Sequence, residues 1–160
     1  QRQRICAPLL AFQPWLLLFW TDIQSSANAI LYAQQANLRR SADYVDRTRQ
    51  MAQQVKHAEY LLEKEDFAAV GQLLHEAWLL KRSLAAGISE PQIDLWYSKA
   101  REAGALGGKI AGAGGRGFLL LAAEPTKHTA VIQALSQTGL RHVPFAFSYT
   151  GSEIVYTDRL

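Results

Sequence analysis

The residues best suited to chemistry lie in one run, Gly104 to Phe118, which reads GALGGKIAGAGGRGF. Seven of its fifteen residues are glycine, of eleven in the whole chain, so the enrichment is local. Glycine takes φ > 0 freely and lets backbone N–H groups converge on one point. Such a concave nest holds phosphate oxygens. Gly112, Ala113, Gly114, Gly115, Arg116 and Gly117 form the loop of this candidate phosphate or substrate site, and Lys109 offers an ammonium just before it. Arg116 can either contact a phosphate or point to solvent. The same composition also describes a glycine-rich hairpin turn with no ligand, and composition alone does not separate the two. The dinucleotide fingerprint and the P-loop do not fit, because both need a strand before the loop and a helix after it.

The other candidates are isolated. His75 and Glu76 lie beside Trp78, where a helix-borne histidine can bind a ligand hydroxyl or simply pack. Lys81 and Asp94 have the types to tie two helices together. No Ser/His/Asp, Cys/His or paired-carboxylate set stands out by order and spacing, so no catalytic residue and no metal ligand is assigned. Cys6 is the one cysteine, which rules out an internal disulfide and zinc-type spacing. A reducing, cytoplasmic setting is the corresponding expectation. Hydrophobic residues make up 49% and charged residues 19%, which excludes a disordered or collagen-like chain. Seventeen Lys and Arg are scattered among fourteen Asp and Glu, so no block suits a nucleic-acid backbone.

These residues need elements to position them. One hundred and sixty residues suit one domain. The chain opens on Gln1 instead of Met, as expected of one processed or cut from something longer. Arg2, Arg4, the apolar residues to Trp20 and Ala27-Asn28-Ala29 imitate a secretory leader. Pro8, Gln13, Pro14 and Asp22 interrupt that pattern, and no unbroken run is long enough to span a membrane. The preferred reading is a buried strand over 15–20. Ser25 or Ser26 caps a first helix to about Asn37, and Ser41 a second with Tyr44, Thr48, Met51, Val55, Ala58 and Leu62 on its apolar face. Asp66 opens a third, ended by Gly87, and Ser89 caps a fourth with Pro91 in its first turn. Strands over 107–112 and 118–123 follow, then a helix from Pro125 to Gly139. A closing hairpin pairs 142–148 with 154–156, through a turn near Thr150-Gly151. The plan is α+β: an antiparallel sheet with helices packed on one face.

Taken together, Leu74–Leu84 (LHEAWLLKRSL), Ile88–Asp94 (ISEPQID), Gly104–Lys109 (GALGGK) and the loop resemble the C-terminal lobe of GHMP-type sugar kinases. Within them the likeness is greatest to D-glycero-D-manno-heptose 7-phosphate kinases. The start of the lobe is matched by Leu16–Thr21 and Ala27–Leu31, and its last strands by Val143–Phe147 with Gly151, Ser152 and Ile154–Tyr156. The resemblance implies a ferredoxin-like sheet with added helices, in a two-lobed enzyme that encloses ATP, magnesium and a sugar. The glycine loop would lie near the phosphates. Two positions depart from the family pattern. The usual Thr-Gly-x-x-Arg reads Thr21-Asp22-Ile23-Gln24-Ser25, and Arg116 stands where the loop usually has glycine. The family's Pro-x-x-x-Gly-(Leu/Ile)-(Gly/Ser)-Ser-Ser motif is not in these 160 residues, nor is the N-terminal nucleotide lobe that carries it.

Two expectations follow from this resemblance. One is the C-terminal lobe of a sugar phosphate kinase, inactive alone and needing ATP and magnesium only when paired with its N-terminal lobe. The other is a free-standing module that binds a sugar phosphate or small anion, or pairs with a second copy of itself across an exposed apolar patch. Neither involves nucleic acid or a membrane.

Overall fold

The apolar run between Pro14 and Thr21 is a strand in the computed structural model, which describes residues 8–23, 27–115 and 117–148. Strand β1 is Leu16–Trp20, entered through a 3-10 turn at Gln13–Trp15 and a helical segment at 8–12. Four helices follow: α1 (Ala27–Arg40), α2 (Ala42–Glu63), α3 (Phe67–Arg82) and α4 (Pro91–Glu102). Next come β2 (Ala105–Ile110), β3 (Phe118–Ala123), α5 (His128–Ser136) and β4 (Arg141–His142). The sheet order is β2-β3-β1-β4, antiparallel at every pairing. This is the ferredoxin-like arrangement, with α1 to α4 filling the first crossover. No helix among the described residues is long and apolar enough to cross a membrane.

Period-two alternation sets the two faces of the sheet. Leu17, Phe19, Leu119, Leu121 and Ile110 share one face and pack on Trp78, Ile93, Trp96, Val131 and Leu135. Leu16 and Ala122 point the other way, onto a smaller cluster of Phe12, Leu61, Leu62, Val70 and Leu73. Helix α3 contributes to both clusters because it runs along the β2 edge. The helical layer therefore covers one face and reaches round to the other beside β2.

Local chemistry explains most element ends. Ser41 and Asp66 cap α2 and α3 by accepting from the backbone N–H groups of Asp43 and Ala69. Pro91 stands in the first turn of α4, where its missing N–H costs nothing. Several predicted details are corrected. Helix α3 stops at Arg82, and Gly87 lies in the following loop with φ +81°. Glu90, not Ser89, is the α4 N-cap residue; the Ser89 hydroxyl bonds the Asp94 carboxylate instead. Val55 is 66% exposed, because α2 buries a narrower stripe through Met51, Gln54, Ala58 and Leu61. The predicted strand over 142–148 is only Arg141–His142, continued by one bond from the Val143 N–H to the Leu18 carbonyl. Pro144 then offers no N–H to extend the ladder. Its proposed hairpin partner, 154–156, lies outside the described residues, as do Ser25, Ser26 and Arg116.

Candidate glycine-loop site

The site begins with a close contact at the far end of β2. A Cβ on Gly107 would lie 2.0 Å from the Gly71 carbonyl oxygen, so α3 and β2 touch backbone to backbone there. A β-bulge at Leu106 places that side chain against Gly71. From this anchor the two elements run side by side. Ten helical residues rise about 15 Å, and five strand residues about 16 Å. Lys81, at the end of α3, is thereby brought to Gly112, just beyond the end of β2. Its ammonium donates to the Gly112 carbonyl.

Residues 111–117 join β2 to β3. Gly112, Gly114, Gly115 and Gly117 all have positive φ, between +70° and +108°. The loop is held at both ends: the Ala111 N–H bonds the Phe118 carbonyl, and the Gly117 carbonyl accepts from the Thr21 N–H and hydroxyl. Its middle rests on Ile88, which is fully buried. The Gly115 N–H donates to the Ile88 carbonyl at 2.9 Å, and a Cβ on Gly114 would stand 2.8 Å from that same oxygen. The Ile88 loop is fixed in turn by Asn37, which bonds the Leu84 carbonyl, and by Arg47, which bonds that of Ser83.

The loop's two halves therefore differ. Gly114 and Gly115 are buried against Ile88, whereas Gly112 is exposed and a Cβ there would meet nothing within 4 Å. Gly115 is one predicted donor that is already engaged. The N–H groups of Gly112 and Ala113 donate to no group among the described residues. They are the loop's unengaged donors, the kind of group from which phosphate oxygens accept.

Two lysines stand beside this stretch. Lys109, on β2 opposite Leu120, is half-buried. Burial pushes the Lys81 ammonium below its usual range, and the neighbouring Lys109 charge pushes it further the same way. Two mutually repelling cations beside unpartnered N–H groups would be relieved by an anion. The described residues hold no group of three or more His, Cys, Asp or Glu side chains fit to cage a metal ion.

His75 is not brought to the loop. It lies against Gly107, about 16 Å of strand away from Gly112. Its Nδ1 is 2.8 Å from the Tyr97 hydroxyl, and the two rings stack 9° from parallel. Burial lowers the His75 pKa, with the Arg101 charge adding to the effect. Burial raises Tyr97 to about 12. An ion pair between α3 and α4 joins Arg82 to Asp94 at 3.0 Å, so Arg82 takes the role expected of Lys81. Lys81 itself is the loop residue that sequence reasoning passed over. The signal was available: Gly71, Trp78 and Lys81 lie on one stripe of α3 at spacings of seven and three.

Known proteins share this sequence and fold in part. The chain is 28% identical over 137 residues to D-glycero-alpha-D-manno-heptose 7-phosphate kinase of Campylobacter jejuni, covering 84% of this chain and 40% of that protein. It thus spans less than half the length of the relative it matches. The fold is similar to that of L. major mevalonate kinase in complex with R-mevalonate, with TM-score 0.70 and 23% identity over 76% of this chain and 37% of that one. It is also similar to Streptococcus pneumoniae phosphomevalonate kinase, with TM-score 0.65 and 15% identity over 81% of this chain and 38% of that one. The family model described as GHMP kinases C terminal matches residues 58–140, from late α2 to the end of the α5 turn and including the whole glycine loop. With more than half of its length matched, and with the antiparallel α+β fold that the resemblance implied, the chain belongs to the GHMP kinase C-terminal family.

Proposed function

We propose that this chain acts as the C-terminal lobe of an ATP-dependent sugar phosphate kinase, with its glycine loop holding phosphate oxygens. The observation that carries the reading is the pair of unengaged donors at Gly112 and Ala113, with Lys81 and Lys109 beside them. Phosphoryl transfer depends mainly on positioning and charge stabilisation, and a fixed loop on the buried Ile88 platform supplies both. Lys109, Gly112 and Ala113 are the binding residues of this proposal, Lys81 joins them, and Gly114, Gly115 and Gly117 hold the loop against Ile88 and Thr21. His75 is a packing residue in it. The heptose 7-phosphate substrate is supported by the name of the Campylobacter relative. ATP phosphates fit the loop. The described residues offer no carboxylate cage for magnesium.

Phosphate titration followed by NMR tests the loop. Amide shifts at Gly112 and Ala113 are the expected result, and unmoved loop amides at millimolar phosphate would leave a bare turn. ATP turnover with heptose 7-phosphate and magnesium tests the second half of the proposal. The 160 residues alone should show none, and robust turnover would overturn the need for another lobe.

A self-associating binding module is the second reading. It draws on an apolar groove between α2 and α3, lined by Met51, Val55, Ala58, Val70, Leu73 and Ala77. Sedimentation as a strict monomer at high concentration counts against it.

A further inference from the structure

Residues 83–90 join α3, which ends at Arg82, to α4, which starts at Pro91, and the glycine loop rests on them at Ile88. The ends of this segment are tied to the helices beside them. The Ser83 hydroxyl donates to the Leu80 carbonyl, and the Ser89 hydroxyl to the Asp94 carboxylate. Between those ends the segment has no regular structure, so its backbone groups take their partners from other elements.

Helix α1 reaches that middle stretch at two points. Ile30 and Asn37 stand seven positions apart, two turns along one face of the helix. Ile30 is buried, and a Cβ on Gly87 would lie 3.6 Å from its Cγ1. The Asn37 Nδ2 donates to the Leu84 carbonyl at 2.8 Å, across 47 positions of sequence.

From Leu84 the path to the loop is short. Leu84 and Ile88 are both buried, which sets the depth of the segment but not the direction of its carbonyls. Gly87 lies between them at φ +81°. Glycine resists backbone rotation less than any other residue, so this turn does not aim the Ile88 carbonyl by itself. The aim depends on the anchored peptide before it. That carbonyl accepts from the Gly115 N–H at 2.9 Å, with Gly114 packed against it. Gly112 and Ala113, the unengaged donors, come just before these two glycines. The same anchor steadies the other tether. The Leu84 N–H donates to the Lys81 carbonyl at 3.0 Å, and the Lys81 ammonium donates to the Gly112 carbonyl. Donors that are to meet a ligand must be held to within about 0.5 Å, which falls to the residues behind them.

We infer that Asn37 is a positioning residue of the glycine loop: from α1 it holds the Leu84 carbonyl, and so aims the Ile88 carbonyl at the Gly115 N–H. Its effect on anions rests on the loop reading above; the link from Asn37 to Gly115 does not.

The test compares N37L and N37Q with the wild-type 160-residue chain, by amide hydrogen exchange and by titration with inorganic phosphate under NMR. Leucine has the branching of asparagine without its donor and favours helix more, so N37L should fold. Its Gly115 amide should exchange about tenfold faster, while Leu119 and Leu121 on β3 keep their wild-type rates. Phosphate should bind about fivefold more weakly, read at Gly112 and Ala113. N37Q keeps the amide donor on a longer arm and should stay nearer the wild type in both. N37A takes the place of N37L if that variant does not fold. An unchanged Gly115 rate in N37L, an equal rise at Leu119 and Leu121, or equal damage in N37Q would each overturn the inference. A faster Gly115 amide with unchanged phosphate affinity would overturn its bearing on binding. Wild-type loop amides that ignore phosphate would overturn the anion reading and leave the positioning role to be decided by Gly115 exchange.

Discussion

The two ends of β2 use glycine for opposite purposes. At the Gly107 end, backbone meets backbone and there is no room for a Cβ. At the Gly112 end, there is nothing within 4 Å of where a Cβ would be. One end is a packing device that sets helix against strand, and the other is an open turn with unengaged donors and Lys81 on its carbonyl. A glycine-rich segment is thus not one motif but two, and the packing half delivers Lys81 to the open half.

Substitution at the closed end should have the largest effect. G107A forces α3 off β2 and should cost about 3 kcal/mol or more, seen as a large fall in melting temperature. G112A meets only backbone strain, about 1–2 kcal/mol. Equal losses for the two would erase the contrast between the ends. G114V sits between them. Its side chain would strike the Ile88 carbonyl, so it should displace the loop and abolish the phosphate shifts at Gly112 and Ala113. Shifts that persist in G114V would show that the Ile88 platform is dispensable.

The lysine pair sharpens the open end. K81M should weaken phosphate binding by about tenfold, measured by the same titration. Because the Lys81 pKa is lowered, wild-type binding should fall with rising pH before its ordinary value of 10.5 is reached, and K81R should lose that early fall. Stability moves the other way in this window. Folded Lys81 releases its proton first, so the unfolded chain binds more protons and stability rises with pH. An unchanged pH profile in K81R would remove Lys81 from the site.

The smallest effect belongs to His75 at the closed end. Its folded pKa lies below 6.5, so the unfolded chain binds more protons as pH falls through 6.5. Stability should decline there and level off below the lowered folded pKa. Y97F removes the hydroxyl that meets Nδ1 and should cost about 1 kcal/mol, while phosphate binding stays as it was. A changed phosphate response in Y97F would connect two regions that the structure keeps apart.

The sequence by itself determined the strand at Leu16–Trp20, the caps at Ser41 and Asp66, the pair of strands flanking the glycine loop and the antiparallel α+β plan. These follow from short-range rules: apolar runs between breakers, side chains that accept from nearby N–H groups, and turn-forming glycine. The tertiary structure alone decided which glycines pack and which stay open, that Gly115 is engaged by Ile88, and that His75 faces Tyr97 instead of the loop. It also decided that α3 straddles the β2 edge and carries Lys81 to Gly112, and that α1 reaches the Leu84 carbonyl through Asn37. Periodicity shows which residues share a face of one element. What that face touches depends on contacts between segments far apart in the chain, such as Gly71 on Gly107 and Thr21 on Gly117, and those are fixed only when the whole core packs.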